Sequence, residues 1–69
     1  MWIDSAALQA RMLALGIGVM KLAELARLQP KTVSALHKED RRVRIVTLFK
    51  LAKALQCLPT ELVKAVSAQ

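Results

Sequence analysis

Basic side chains are concentrated in the middle of the chain, where they could bind a polyanion. Residues 27 to 53 contain eight lysine and arginine residues against two acidic residues, and they carry the whole formal net charge of +6. In the segments before and after, acidic and basic residues cancel. Most charged surfaces serve only to keep a protein solvated. Solvation does not, however, require charges of one sign to be concentrated in one segment. The one-sided charge therefore indicates a polyanionic partner.

Candidates for catalysis or metal binding are few and scattered. The chain has one histidine, His37, one cysteine, Cys57, and five carboxylates. These residues supply no nucleophile–base pair and no phosphate-binding loop, and two soft ligands do not complete a zinc site. We therefore predict that the protein is not an enzyme and has no catalytic residue, metal, cofactor or small-molecule ligand. We expect His37 at the surface or beside a phosphate, and Cys57 as a small buried apolar residue.

The elements that position the basic side chains are predicted to be five short helices. Apolar residues recur at helical spacing, and Gly16, Pro30 and Pro59 mark helix boundaries. Asp4 or Ser5 can cap the first helix. The predicted helices cover residues 5–15, 19–26, 30–38, 45–55 and 59–67.

Length and composition indicate the class of protein. Residues 39–44 are polar and aperiodic, so we predict a loop between the third and fourth helices. Because 69 residues can bury only one small core, we predict a single domain, residues 1–69, with an all-α fold. No apolar run approaches the roughly 18 residues that span a bilayer, and the N-terminus lacks the basic segment of a signal peptide. We expect a cytoplasmic protein without a membrane partner.

The tight connection between the second and third predicted helices is typical of a helix-turn-helix. Leu22, Leu28 and Val33 would pack these two helices against each other. Ala23 is small, so it would let them cross closely. These four residues are the predicted core of the motif.

Two separate stretches carry a resemblance to a known family. LAELARLQPKTVS, at residues 22–34, resembles the helix-turn-helix motif of the lambda-repressor/Cro-like (XRE) family of DNA-binding domains. TLFKLAKALQCLPTEL, at residues 47–62, resembles that family's fourth helix and the start of its fifth. The likeness covers about residues 3–66. It implies a compact five-helix lambda-repressor-like domain of the short type carried by phages and mobile elements, and therefore a bacterial or phage protein on nucleoid DNA.

The resemblance implies that the third helix enters the major groove of duplex DNA with its N-terminal end leading. Glutamine can pair with adenine there, and lysine with guanine. The expected base-reading residues are Gln29, Lys31, Ser34 and Ala35. Other side chains would bind phosphates, which position the protein without reading sequence. The expected phosphate-contacting residues are Thr32, His37, Lys38, Arg41, Arg42 and Arg44.

The chain departs from the family pattern at several positions. Gly18 and Val19 stand where the family usually has Ser or Thr followed by Gln. Arg27 replaces the glycine of the turn, and a left-handed backbone there would cost about 1–2 kcal/mol. Gln29 replaces the Ser or Thr that commonly caps the third helix. Ala35 replaces a long polar side chain that often contacts bases. We therefore expect sparse base readout and more reliance on phosphates and DNA shape.

Three functions from different classes remain open. The first is a small, repressor-like transcriptional regulator that binds specific double-stranded DNA sequences. The second is a protein-interaction module on the same fold, antitoxin-like or antirepressor-like, which Val19, Arg27 and Ala35 favour. The third is a cationic membrane peptide, but glycines and prolines break the chain into short pieces that cannot form one continuous basic helix face.

A symmetric homodimer is the usual way for this fold to occupy a palindromic site. No separate dimerisation element is visible in the sequence, so apolar residues left outside the core are the candidates. Trp2 could instead pack over the hydrophobic core of its own chain. Phe49 lies beside the core-facing stripe of the fourth helix. The possible dimer-contact residues are Trp2, Phe49, Leu62, Val63 and Val66.

Overall fold

A computed structural model describes residues 1–64 of the chain. Within them, four α-helices and a 3₁₀ turn surround the core, and two strands of two residues form a short ladder. The helices are α1 (Ser5–Leu15), α2 (Val19–Ala26), α3 (Pro30–Lys38) and α4 (Ile45–Ala54). The strands are β1 (Trp2–Ile3) and β2 (Arg41–Arg42), and the 3₁₀ turn is Pro59–Glu61. The mostly helical, lambda-repressor-like arrangement agrees with the predicted all-α class.

Both ends of α1 are formed by residues that the sequence analysis singled out. The Asp4 carboxylate accepts hydrogen bonds from the N–H groups of Ala6 and Ala7, at 3.0 and 3.3 Å, and thereby caps the helix. Gly16 follows the helix with φ 67° and ψ 32°. Glycine adopts this left-handed conformation without steric cost, so the chain can turn away there.

The turn between α2 and α3 is closed by Arg27 in the left-handed conformation, with φ 57° and ψ 45°. Its N–H group donates to the carbonyl of Glu24 at 3.3 Å, and that of Leu28 donates to the carbonyl of Ala23 at 2.9 Å. These two bonds satisfy the last carbonyls of α2. Pro30 then begins α3, where its missing N–H leaves no intrahelical bond unmade.

All four helices and β1 supply side chains to one core. Within each helix the buried positions are separated by one, three or four residues and therefore share one face, as the sequence periodicity predicts. Leu28, in the turn between α2 and α3, is only half-buried. The buried residues are Ile3, Leu8, Met12, Leu22, Ala23, Ala26, Val33, Leu36, Leu48, Leu51, Ala52, Leu55 and Leu62.

The predicted fifth helix is wrong for the residues that the structure describes. Only Pro59–Glu61 form a 3₁₀ turn, and residues 62–64 run alongside β1 instead. The N–H group of Lys64 donates to the Trp2 carbonyl at 2.8 Å. Backbone groups that a helix would require are therefore bonded to the N-terminal strand. The predicted continuation over 65–67 lies outside the described residues.

The segment 39–44 is not the free loop that was predicted. It contains β2, which pairs antiparallel with β1, so that Trp2 lies opposite Arg42 and Ile3 opposite Arg41. Ile3 is fully buried, which fixes β1 against the core. β2 is thereby held in place by a partner from the other end of the chain.

Within residues 1–64, no helix by itself has the length and apolar character to cross a membrane. Taken together, α1 and α2 reach the required length and composition, but a bend of 94° separates them.

Candidate nucleic-acid interface

α3 divides its residues between the core and the surface. Val33 and Leu36 are buried, and their spacing of three residues turns the opposite side of the helix outward. The outward positions include the exposed Lys31 and Lys38 and the half-buried Ser34 and Ala35, whereas the exposed Thr32 and the half-buried His37 flank the buried side. Gln29 precedes the helix and is exposed, and its side chain makes no capping hydrogen bond. Its amide is therefore available to bind another molecule.

A shallow groove lies along the outward face of α3 and is called the α3 groove below. It is lined by Lys31, Ser34, Ala35, Lys38, Glu39 and Arg41. Three basic residues against one acidic residue give the groove a net positive charge, which suits an anionic ligand. The carboxylate of Glu39 lies 3.3 Å from the guanidinium of Arg41, and both side chains are largely exposed. Such a pair contributes little to stability, so an anion can displace the carboxylate.

Three helices begin without a side-chain cap. Gly18, Gln29 and Arg44 precede α2, α3 and α4, and none of their side chains accepts a hydrogen bond from the helix. The first N–H groups of a helix have no intrahelical partner. Together with the helix dipole they attract anions. The starts of α2 and α4 therefore offer N–H donors that a phosphate could use. α3 offers only the N–H of Lys31, because Pro30 has none and that of Thr32 donates to the Gln29 carbonyl at 3.0 Å.

Asp40 fixes the arginine-bearing strand β2 to the rest of the molecule. Its carboxylate accepts a hydrogen bond from the N–H of Ser5 at 2.9 Å and forms an ion pair with Lys64. The bond from Lys64, and then that from Ser5, lowers the pKa of Asp40 from 3.8 to about 2. On the other side of β2, the N–H of Val43 donates to the carbonyl of Met1 at 2.7 Å. β2 is thus held at both of its ends.

Several predicted phosphate contacts lie outside the α3 groove. His37 is half-buried, and its carbonyl accepts a hydrogen bond from the side chain of Gln9. Arg42 pairs with Trp2 in the ladder, and Arg44 is exposed at the start of α4. The structure therefore gathers only part of the predicted DNA-contact set in one place. The gathered residues are Lys31, Ser34, Ala35, Lys38 and Arg41.

The candidate dimer-contact residues differ widely in exposure. Trp2 is 50% exposed and Phe49 is 52% exposed, so each leaves about half of its surface open to a partner. Leu62 is only 1% exposed, so its prediction as a dimer contact is wrong, because its side chain belongs to the core. Val63 is half-buried against that core. Val66 lies outside the described residues.

Glu39 and Asp40 help to form the α3 groove but were not predicted from the sequence. Glu39 neutralises Arg41, and Asp40 holds the backbone that carries it. Their position in the sequence could have indicated this role, because two adjacent carboxylates interrupt a segment that is otherwise basic. Carboxylates in such surroundings are commonly bonded to a neighbouring cation.

Cys57 and the potential metal ligands are the other reactive groups that were considered in the described residues. Within residues 1–64, no group of three or more potential metal ligands lies together. Cys57 is half-buried, and burial raises the pKa of its thiol, which disfavours the nucleophilic thiolate. What this surface can do is bind an anion through charge and hydrogen bonds.

Comparisons with known proteins agree with this geometry. A family model described as Cro/C1-type HTH DNA-binding domain matches residues 7–68. The restriction-modification controller protein C.AhdI from Aeromonas hydrophila has 32% sequence identity and a TM-score of 0.76, over 83% of this chain and 86% of that one. PhpD, in structures with cadmium atoms and with hydroethylphosphonate, has 25% identity and a TM-score of 0.82 over 99% of this chain. The match covers only 15% of the PhpD chain.

No curated protein matches the sequence significantly. The chain belongs to the family of Cro/C1-type helix-turn-helix DNA-binding domains.

Proposed function

We propose that this chain is a single DNA-binding domain that recognises specific double-stranded DNA sequences and acts as a small, repressor-like regulator of transcription. The observation that carries the proposal is the α3 groove, in which Lys31, Ser34 and Ala35 of the helix lie beside Arg41 of β2. Membership of a DNA-binding family and likeness to a restriction-modification controller support it. Repression would follow from occupancy of the bound site.

α3 would enter the major groove with its N-terminal turn leading. Gln29 and Lys31 lie at that end, and both are exposed. The amide can bond two groups of adenine, and the ammonium can reach O6 and N7 of guanine. Ser34 can bond several base edges, whereas Ala35 can contact only a thymine methyl. Such a face reads few bases directly, so part of the specificity would come from DNA shape.

Phosphate contacts would surround this helix and set its position on the duplex. Arg41 would exchange its exposed partner Glu39 for a phosphate, because the duplex presents a much stronger negative field. The uncapped N–H groups of α2 and α3 would add donors. The other proposed phosphate contacts are Thr32, His37, Lys38, Arg42 and Arg44.

We also propose that a second copy of the chain covers an apolar groove between α4 and the 3₁₀ turn. This groove is lined by Met1, Ile45, Leu48, Phe49, Leu58, Pro59, Thr60 and Val63. Phe49 and Leu58 are 52% and 65% exposed, and large exposed apolar patches mark interaction sites. None of the described residues that line this groove has a charged side chain, as in the core of a protein interface. A two-fold dimer through it would present two α3 helices to two half-sites.

Selection of bound sequences from a random duplex pool tests the proposed DNA recognition. We expect a shared consensus. Lys31→Ala should relax the preference at one base pair of that consensus, by about 1–3 kcal/mol of discrimination. Arg44→Ala is the matched control, since loss of a phosphate contact should weaken binding to all sequences alike. Recovery of no sequence above the starting pool would contradict sequence-specific binding.

Leu58→Glu tests the proposed dimer. Leu58 is exposed in the single chain, so a charge should be tolerated there, but in the dimer that charge would be buried. The control is Leu13→Glu, because Leu13 is 83% exposed on α1 and lies outside the apolar groove. In sedimentation with a two-half-site duplex, wild type and control should bind as two copies, and Leu58→Glu should bind more weakly. Equal stoichiometry and affinity for all three would remove the groove as the dimer contact.

A further inference from the structure

A second basic groove lies between the C-terminal parts of α2 and α4, and is called the rear groove below. Its volume is ≈ 690 Å³, which is within the range of ligand-binding clefts. The rear groove is lined by Leu25, Ala26, Arg27, Lys50, Lys53, Ala54 and Gln56. It shares no residue with the α3 groove. The proposed DNA contacts therefore leave this surface unused.

The charge of the rear groove is one-sided. Arg27, Lys50 and Lys53 are all exposed, and among residues 1–64 no acidic side chain lines this groove. In the part of the chain that the structure describes, ion pairs form elsewhere, at Lys21, Arg41 and Lys64. Three like charges around one groove repel one another. An acidic ligand would remove that repulsion.

Backbone strain at Arg27 adds an independent observation. Its φ of 57° is a conformation that glycine adopts freely and other residues adopt at a cost. The guanidinium makes no hydrogen bond within residues 1–64 that would repay this cost. The turn that ends α2 therefore keeps at this position an arginine, rather than a glycine, whose charged group lines the groove together with Lys50 and Lys53.

The apolar part of the rear groove distinguishes between acidic partners. Leu25 is 48% exposed, and Ala26 and Ala54 lie beside it in the lining. A nucleic-acid backbone presents only small deoxyribose C–H surfaces between its phosphates, which cover an exposed leucine less well than an apolar side chain does. An amphipathic acidic peptide has both negative charge and apolar side chains. Its apolar residues can cover Leu25 while its carboxylates pair with the cations. The surface therefore fits an acidic protein segment better than a second DNA duplex.

We propose that the rear groove binds an acidic amphipathic segment of a partner protein. Carboxylates of that segment bond to Arg27, Lys50 and Lys53, and an apolar residue packs on Leu25. Because the α3 groove is separate, the partner and DNA can be bound at the same time. The domain would then connect a DNA site to an acidic protein.

Binding of a synthetic peptide tests this proposal. The probe is a fluorescent helical peptide of about 12 residues, with Glu on one face and Leu on the other. Its anisotropy should rise on titration with the full chain, whereas a peptide with Lys in place of each Glu should not bind. The double variant Lys50→Gln, Lys53→Gln should weaken binding about fivefold, from the loss of two exposed ion pairs. Arg27→Gly should weaken it too, although glycine suits that backbone.

Lys31→Ala is the control that separates this proposal from the proposed DNA binding. It should weaken DNA binding and leave the peptide affinity unchanged, and the double lysine variant should do the reverse. Equal peptide affinity of wild type and the double variant would overturn the proposal. So would loss of duplex binding, rather than peptide binding, in the double variant, because the rear groove would then be a DNA contact.

Discussion

Replacing Arg27 by glycine should stabilise the fold. Arg27 holds φ 57° and ψ 45° at the end of α2, where a side chain with Cβ crowds the backbone. Its N–H group, which bonds to the Glu24 carbonyl, is retained by glycine. Its side chain is exposed, so no packing is lost. The substitution therefore removes strain without removing a contact of the folded chain.

The size of the effect follows from two opposing contributions. Relief of the left-handed strain contributes about 1–2 kcal/mol. The greater freedom of glycine in the unfolded chain offsets about 0.4–1 kcal/mol of this. The free energy of unfolding should rise by about 1 kcal/mol, which for a domain of this size raises Tm by about 4–8 °C.

Urea denaturation followed by circular dichroism measures the change, and Arg27→Ala is the matched control. Alanine also removes the guanidinium and its repulsion from Lys50 and Lys53, but it keeps Cβ and therefore the strain. Arg27→Gly should be more stable than Arg27→Ala, with the same dependence on urea. If the two variants have equal stability, the gain comes from the charge, and the reasoning from backbone strain is refuted.

Three other perturbations have defined outcomes. Gln56→Gly should gain about 1 kcal/mol in the same denaturation, because Gln56 is also left-handed with φ 56°; an unchanged midpoint would contradict the strain. Asp40 has its pKa lowered from 3.8 to about 2, so its contribution to stability is complete above pH 3.8 and is lost as the pH falls toward 2. The difference in unfolding free energy between wild type and Asp40→Asn should shrink over that range, and a constant difference would argue against the ion pair with Lys64. If about five phosphates are neutralised, log K for DNA should fall with a slope of about −4.5 in log salt, and a flat dependence would exclude phosphates as the main contacts.

Local chemistry explains why four helices could be predicted from the sequence. Asp4 and Gly16 set the ends of α1 through bonds to residues one turn away, and Pro30 begins α3 wherever the surrounding chain lies. The buried positions follow from periodicity, because each helix must turn its apolar stripe toward the others. The outward face of α3 follows in the same way, since Val33 and Leu36 determine which side is buried.

Contacts between distant parts of the chain could not be read from such local patterns. The bond from Lys64 to Trp2 replaces the continuation of the fifth helix, after its first 3₁₀ turn, with a segment that runs alongside β1. Pairing of β1 with β2 turns a polar loop into a strand, and Asp40 secures that strand through Ser5. Leu62 was assigned to a surface for the same reason, since its burial depends on the segment that runs alongside β1. Of the residues that line the α3 groove, only Glu39 was not predicted, because its ion pair with Arg41 depends on where the pairing with β1 places β2.

Mapping of backbone amide shifts on a ¹⁵N-labelled sample, titrated with the selected duplex, is the most direct test of the proposed role of α3. The largest changes should fall on residues 29–38 and on Arg41, with the uncapped start of α2 affected through its N–H groups. The rear groove around Lys50 and Lys53 should remain unchanged. Shifts concentrated on the rear groove, with α3 unaffected, would contradict the assignment of α3 as the element that reads DNA.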